Sequence, residues 1–470
     1  MKKVFCIYPP SPKMNRTARC QQPVKELIVL PPLPPTDLMY CAAVAREIGA
    51  ECKIKDYSVE GGGINILKRD ISDFMPDIVL INVASTTFEN DMNAVLAIKE
   101  TLPKTLTVLT GAHFLTFNTS VLEKYPFIDI IIRGEPEITF KEIVSGKSLE
   151  EIKGITFRNN QSMIISNPNR EFLANLDKLP FPARDLVNND LYIRPDNAQK
   201  QAIIRVAAGC PYHCFFCLAT PVSGSKPRYR SVDNIIAEIK ECREKYGINN
   251  FVFWSDLFSA NHDFVKNLCK KIKSETPNII WSANSRVDTV NEEILTIMKN
   301  AGCSLISMGI ESGSQEILDK IGKKITKEQA EHAVMLCKKL GIQVFTYFVI
   351  GLPWENENHI EETIKFAIKL DADYVNFYTA AVLPGSRFYN YVIENNLGNT
   401  KDKDFFSAPY YYPCVQTHFL SKERIYELHK SAVKRFYLRP KYIFRKLTEI
   451  KTLTQFSNYF KAGLSVIFKK

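Results

Sequence analysis

Short apolar runs and amphipathic stretches take turns along the first 145 residues. Val4–Tyr8, Cys52–Lys55, Asp77–Val83, Thr105–Leu109 and Ile128–Ile132 read as strands. Thr36–Ile48 and Asp91–Lys99 carry apolar groups at the spacing of a helix face, and the first stops at Gly49. The strand runs end on turn residues: Pro9-Pro10, Ser85-Thr86, Thr110-Gly111 and Gly134. Apolar strands separated by helices predict a parallel sheet covered on both faces, a doubly wound α/β domain over residues 1–150. Ligands of such sheets bind outside the carboxyl ends of the strands.

Residues 151–198 read as a connector, rich in Asn and interrupted by Pro180 and Pro182, which forbid a continuous helix. A second series fills residues 199–395. Ile203–Val206, Phe251–Trp254, Ile279–Ala283, Leu305–Ile310, Gln343–Ile350 and Tyr374–Tyr378 are strand-like, with helical runs such as Val232–Lys245 and Lys327–Leu340 between them. Six such units predict a partial (β/α)6 barrel, followed by a helical C-terminal tail over 396–470. No internal repeat links the two series.

The 470 residues suffice for two or three domains, and 45% hydrophobic with 24% charged is ordinary for a globular chain. No apolar stretch reaches the roughly 18 residues of a membrane span. The start, MKKVFCIYPPSP, lacks the apolar core of a signal peptide, so a cytoplasmic location is expected. Charge changes the picture in one place. Residues 421–470 hold 13 Lys or Arg against 3 Glu, which leaves 48 charges of each sign in the rest of the chain. A neutral body argues against a nucleic-acid binder.

Within the tail, apolar groups recur at 443, 447, 450, 453, 456, 460, 464 and 467, one face of a helix over 442–468. Arg445, Lys446, Lys451 and Lys461 lie off that stripe. Two readings compete. In the first, preferred on the sequence, the stripe packs on the barrel and the charges are solvated. In the second, a basic amphipathic helix rests on an anionic membrane.

Nine of the twelve cysteines are scattered and read mostly as small buried hydrophobes. Cys210, Cys214 and Cys217 cluster in Ala208-Gly209-Cys210-Pro211-Tyr212-His213-Cys214-Phe215-Phe216-Cys217, just after the first barrel strand. In a reducing compartment this points to metal or redox chemistry rather than disulfides. Iron–sulfur clusters are usually held by four thiolates. With no fourth cysteine near, one iron stays open, and an open position is where substrate chemistry happens. Structural zinc is the alternative, but it closes with four ligands, and His213 inside the loop would strain it.

This loop resembles that of the radical S-adenosylmethionine superfamily. The resemblance implies a [4Fe–4S] cluster on Cys210, Cys214 and Cys217, with S-adenosylmethionine chelated at the open iron. Electron transfer from the cluster then cleaves it to a 5′-deoxyadenosyl radical. It also implies an external one-electron donor of the flavodoxin or ferredoxin type. Other stretches match the family. Phe216 falls where an aromatic residue lies over the adenine. Asp256, after the second strand, falls where acids bind the methionine ammonium. Gly309-Ile310-Glu311-Ser312 resembles the fourth-strand motif, whose acid contacts the ribose. Phe348-Val349-Ile350-Gly351-Leu352-Pro353 resembles the fifth-strand motif, whose backbone edges the adenine. Arg286 and Lys324 are candidate carboxylate contacts.

Over residues 1–400 the order of domains resembles the cobalamin-binding branch of that family, with a Rossmann-like cobalamin domain ahead of the radical barrel. The matching pieces are Pro9-Pro10, Ser85-Thr86, Gly111-Ala112-His113 and Gly134-Glu135, expected to line the corrin ring and its nucleotide tail. The Asp-x-His-x-x-Gly signature is absent, so cobalamin is expected without a protein histidine on cobalt. The alternative is a scaffold that has lost its cofactor. The branch implies a C-methyltransferase acting on an unactivated carbon of a small-molecule or lipid-like substrate. A methyl group would pass from one S-adenosylmethionine by way of cobalamin, and a radical from a second would activate the substrate. The rivals are a radical oxidoreductase or cyclase of the same architecture and a non-catalytic cobalamin- or metal-binding regulator.

Overall fold

The structure, a computed structural model, describes all residues except 18–19, 24–31, 195–198, 400–404, 406–411, 451 and 469–470. The first sheet contains β1 (Lys3–Tyr8), β2 (Glu51–Asp56), β3 (Ile78–Asn82), β4 (Leu106–Thr110), β5 (Ile130–Ile132), β6 (Ile155–Arg158) and β7 (Ile164–Ser166). Its order is β2-β1-β3-β4-β5-β6-β7. The first five strands are parallel, and β6 and β7 join antiparallel. Alternate residues of β1 serve opposite faces. Val4 and Cys6 pack in one apolar layer, with α1 (Thr36–Arg46), while Phe5 and Ile7 pack in the other, with α2 (Phe88–Thr101). Strand order reverses between β1 and β3, so their loops flank the crevice where ligands of doubly wound sheets bind.

The connector expected over 151–198 is shorter than the sequence suggested. Residues 155–166 form β6 and β7 and extend the first sheet. The turn between them puts Ser162 at φ 62°, and only Ile155, Thr156 and Phe157 of the hairpin strands are buried, so the pattern is too short to read.

The second sheet holds β8 (Gln201–Arg205), β9 (Asn250–Trp254), β10 (Ile280–Ser285), β11 (Cys303–Glu311), β12 (Gln343–Ile350) and β13 (Tyr374–Thr379), all parallel and in sequence order. Ile204, Phe251, Phe253, Ile306 and Val344 join the large core beneath the surrounding helices. On the other face Leu305, Phe345 and Tyr374 form a separate small cluster.

Helix α3 (Lys422–Tyr437) covers the edge strand β13. Tyr437 Oη accepts from Val375 N–H at 3.1 Å and donates to the carbonyl of the same residue. His429 Nε2 lies 2.8 Å from the Phe377 carbonyl. These side chains take backbone groups that an absent neighbouring strand would otherwise pair.

The tail departs from the single helix expected over 442–468. It is two helices, α4 (Pro440–Glu449) and α5 (Leu453–Phe468). The preferred packing of the stripe is overturned as well. Ile443, Phe444, Leu447, Phe456, Phe460 and Leu464 are 42, 72, 54, 50, 57 and 38% exposed. Tyr442, Lys446 and Tyr459 face the barrel instead. Tyr442 Oη donates to the Asp373 carbonyl at 2.9 Å, Tyr459 and Tyr374 hydroxyls meet at 3.1 Å, and Lys446 lies over the Tyr374 ring. Arg439 and Arg445 both pair with Asp371, and together these contacts fix which face of α4 turns inward.

Candidate active site

Gly209 opens the cysteine loop with φ 98°, and a Cβ there would overlap the Lys226 carbonyl, so the chain turns only because this residue is glycine. Its N–H donates to Asp256 Oδ2 at 2.6 Å. Cys210 N–H donates to the Gly224 carbonyl and Phe215 N–H to the Ile321 carbonyl, both at 3.0 Å. Phe388 N–H returns a bond to the Phe215 carbonyl at 2.9 Å. The loop is thereby tied to the second, fourth and sixth βα connections of the barrel. Cys210 is buried, Cys214 and Cys217 are half-buried, and His213 is exposed.

Three thiolates from one short loop, one buried and two half-buried, are the donor set of an iron–sulfur cluster. No three His, Cys, Asp or Glu side chains among the described residues converge as ligands of a single metal do. A [4Fe–4S] cluster meets each thiolate on a different iron, whereas zinc gathers its ligands around one point. Cys242, Cys269 and Cys337 behave as apolar groups: burial pushes their thiols up to about 12.

Charged pairs surround the loop. Glu311, at the end of β11 with φ 74°, accepts from Lys323 Nζ at 2.7 Å, and each side chain is 9% exposed. Gly309 leaves the room, because a Cβ there would overlap Glu311 Oε1. Burial alone would lower Lys323, but Glu311 and Cys214 outweigh it and raise it. Lys323 therefore reaches the site, while its neighbour Lys324, the expected contact, is exposed. The turn after Lys320 decides which of the two points inward, and that is invisible in the sequence. Arg286 binds Asp288 through two 2.8 Å hydrogen bonds, donates to the Lys323 carbonyl, and lies 3.8 Å over the Tyr212 ring.

Ser312 is fully buried; its hydroxyl meets Thr363 Oγ1 at 3.1 Å and accepts from Ser314 N–H, which shapes the turn after β11. At the end of β12 Ile350 is buried, and Gly351 after it has φ 92°. Gly351 and Leu352 N–H groups both donate to Glu355 Oε2, at 2.7 and 2.9 Å. Glu355 went unnoticed in the sequence, although an acid four residues past a strand-end glycine is a usable signal. It is fully buried, burial pushes its carboxyl up to about 7, and Oε1 has no hydrogen-bond partner. Phe216 is half-buried at the margin of the barrel core.

In the first domain the residues that follow β3 and β4, Val83–Thr87 and Gly111–Phe114, are uncharged. Pro9 and Ser85 are buried. Gly111 has φ 141°, and a Cβ would overlap the Val83 carbonyl. His113 Nδ1 lies 3.1 Å from Ser85 Oγ, and its ring stacks on Phe88 with centroids 4.4 Å apart. Burial lowers His113 to about 4, so it is neutral near pH 7. Thr86 Oγ1 is buried with no hydrogen-bond partner, and space is open above Gly134. A glycine cradle, an unpaired hydroxyl and neutral walls fit a large flat ligand such as cobalamin. Glu135, expected on that face, is instead engaged at the domain seam: its carboxylate meets Arg228 at 2.7 Å, because that buried guanidinium needs a counter-charge. Glu137 and Arg205 make a second seam pair, also at 2.7 Å. The strand-end faces of the two domains meet at Gly385, where a side chain would touch both Thr116 and Leu218.

Residues 204–367 match the family model of the radical SAM superfamily, and residues 29–144 match that of the B12 binding domain. An uncharacterized methyltransferase of Pyrococcus horikoshii is 34% identical over 443 residues, covering 91% of this chain and 95% of that protein. The anaerobic magnesium-protoporphyrin IX monomethyl ester cyclase of Rubrivivax gelatinosus is 24% identical over 395 residues, covering 82% and 70%. The cobalamin-dependent S-adenosylmethionine radical enzyme OxsB, solved with aqua-cobalamin and S-adenosylmethionine bound, has TM-score 0.75 over 99% of this chain and 72% of that one. At 15% identity, that likeness is one of fold.

Proposed function

The chain belongs to the radical SAM superfamily, in the branch with a B12-binding domain ahead of the barrel, and from that premise we propose a cobalamin-dependent C-methyltransferase. One observation carries the reading: the cysteine loop and the neutral strand-end face of the first domain meet across Gly385, Thr116 and Leu218. When bound, the cluster supplies the electron that cleaves S-adenosylmethionine, and cobalamin carries the methyl group. Cys210, Cys214 and Cys217 hold the cluster. Asp256 fixes the loop through Gly209. Glu311, with Lys323 behind it, and the Gly351 turn braced by Glu355 position the S-adenosyl moiety. Gly111, Ser85 and Thr86 seat the corrin. His113 stays neutral behind them and does not ligate cobalt.

The substrate is a small or lipid-like molecule, and the reductant an external one-electron donor. The cyclase relative supports a second reading, but at 24% identity against 34% for the methyltransferase relative. The test is anaerobic reconstitution with cobalamin, followed by mass analysis using S-adenosylmethionine labelled in its methyl group. Expected products are 5′-deoxyadenosine, S-adenosylhomocysteine and a substrate carrying the labelled methyl. Deoxyadenosine with an altered but unmethylated substrate would favour the cyclase reading. Absence of deoxyadenosine from the fully loaded protein would sink both.

A further inference from the structure

Large apolar side chains are concentrated on one short stretch of the surface. Of the eighteen that are exposed among the described residues, six fall between Ile443 and Leu464. On α5, Phe456, Phe460 and Leu464 follow one another at four-residue steps, which places them along a single helix face. The Phe456 and Phe460 rings stack at 6.1 Å. On α4, Ile443, Phe444 and Leu447 are the outward apolar groups. These helices are not adrift, since Tyr442, Lys446 and Tyr459 tie their other side to Asp373 and Tyr374. The apolar face is therefore held outward by the packing of the inward one.

We propose that α4 and α5 form a docking surface for an anionic phospholipid bilayer. Charge selects the occupant. Residues 440–470 contain seven Lys or Arg and one acid, Glu449; Arg445 and Lys446 turn inward to Asp371 and Glu449, and the stretch offers the others no further acid. Lys461 is exposed beside Phe460, and the Lys441 side chain is 82% exposed beside the α4 stripe. A helix with a narrow apolar face, basic flanks and aromatic groups is the type that lies in the headgroup boundary of a membrane. A second copy of this chain would bring two such positive surfaces together and be repelled. Neither helix is long and apolar enough to cross a membrane, so the contact is peripheral. The attachment turns one flank of the barrel, the side of β13, towards the lipid. This inference stands on the surface alone and does not depend on which reaction the barrel performs.

The experiment is flotation of the full-length protein with vesicles of phosphatidylcholine alone, or with a third phosphatidylglycerol, at low and high salt. The wild type is expected to float with the anionic vesicles only and to be stripped by salt. The double variant Phe456→Ser/Phe460→Ser is expected to lose at least tenfold in bound fraction with an unchanged melting temperature. If that double variant melts early, Phe444→Ser on the other helix replaces it, with the same loss expected. Equal flotation of variant and wild type, no flotation of either, or a wild-type dimer in sedimentation that the variant abolishes would each overturn the proposal. Salt-sensitive binding of an acidic protein that leaves the anionic vesicles unbound would overturn it too.

Discussion

The two halves of the molecule end their parallel strands facing one another, and they differ in how close charge stands to the space between them. The barrel uses charge: Asp256 on Gly209, Glu311 with Lys323, and Arg286 with Asp288. In the first domain Pro9, Ser85, Gly111 and an uncharged His113 line the loops after the middle strands, and the charge that braces them, Asp91 on the Ala84 N–H with Arg16 paired to it, is buried. A small zwitterion such as the methionine moiety is gripped by fixed charges, whereas a broad flat ring needs small residues and close backbone approach. The contrast predicts that damage to one face spares the ligand of the other.

The largest effect is expected at the cysteines. Cys214→Ala should lower 5′-deoxyadenosine formation more than roughly 100-fold, because two thiolates do not retain the cluster. Cobalamin retained after desalting should stay at the wild-type level. Loss of both cofactors together would break the comparison. Cys269→Ala should leave cleavage nearly intact, since that thiol lies in the apolar core.

Next comes the buried pair. Lys323→Met leaves Glu311 without its partner in a site 9% exposed, at a cost of about 3–5 kcal/mol in denaturant unfolding. Adding Glu311→Gln should recover part of that loss. An undiminished unfolding midpoint in the single variant would mean that charge does not brace this loop. Gly111→Ala probes the opposite face. Its φ of 141° and the overlap with Val83 predict a loss of about 2 kcal/mol and poor cobalamin retention, with S-adenosylmethionine cleavage unchanged.

The smallest effects are titrations, and they run in opposite directions. Glu355 has a native value of about 7 against an ordinary 4.5, so its contribution is full below 4.5 and is lost as pH rises through about 7. Glu355→Gln should flatten that part of the stability profile. His113 falls to about 4 from 6.5, so its contribution is present above 6.5 and is lost as pH falls through about 4. His113→Ala should remove that acid-side slope and leave the absorption spectrum of bound cobalamin unchanged. A spectral shift would put the imidazole on cobalt.

What could be read from the sequence was whatever one residue's neighbours decide. Gly111 and Gly209 stand at turns that the chain announces, and the spacing of Cys210, Cys214 and Cys217 is local by nature. The strands of both sheets were legible because each is a buried run between turn residues. The β6–β7 hairpin was not, because only three of its strand residues are buried. Lys323 and Lys324 are equivalent in sequence, and only the turn after Lys320 separates them. The tail misled for a related reason. Periodicity identified a stripe correctly but could not say which side of it faced inward, and the tyrosines and Lys446 decided that through partners about 70 to 85 residues away.

The tyrosine and histidine that finish the edge of β13 also set a timetable. Tyr437 meets Val375 across 62 positions, and His429 meets Phe377 across 52. A ribosome adding about 5–20 residues per second needs roughly 3–12 seconds to make the longer of those intervals. For that time the last strand of the barrel has been made and its outer backbone groups have no partner within the chain. A bare edge is a template for any extended segment nearby. The nascent barrel is thus most liable to aggregate just before α3 arrives, and fragments that stop short of Ser421 would carry the open edge permanently.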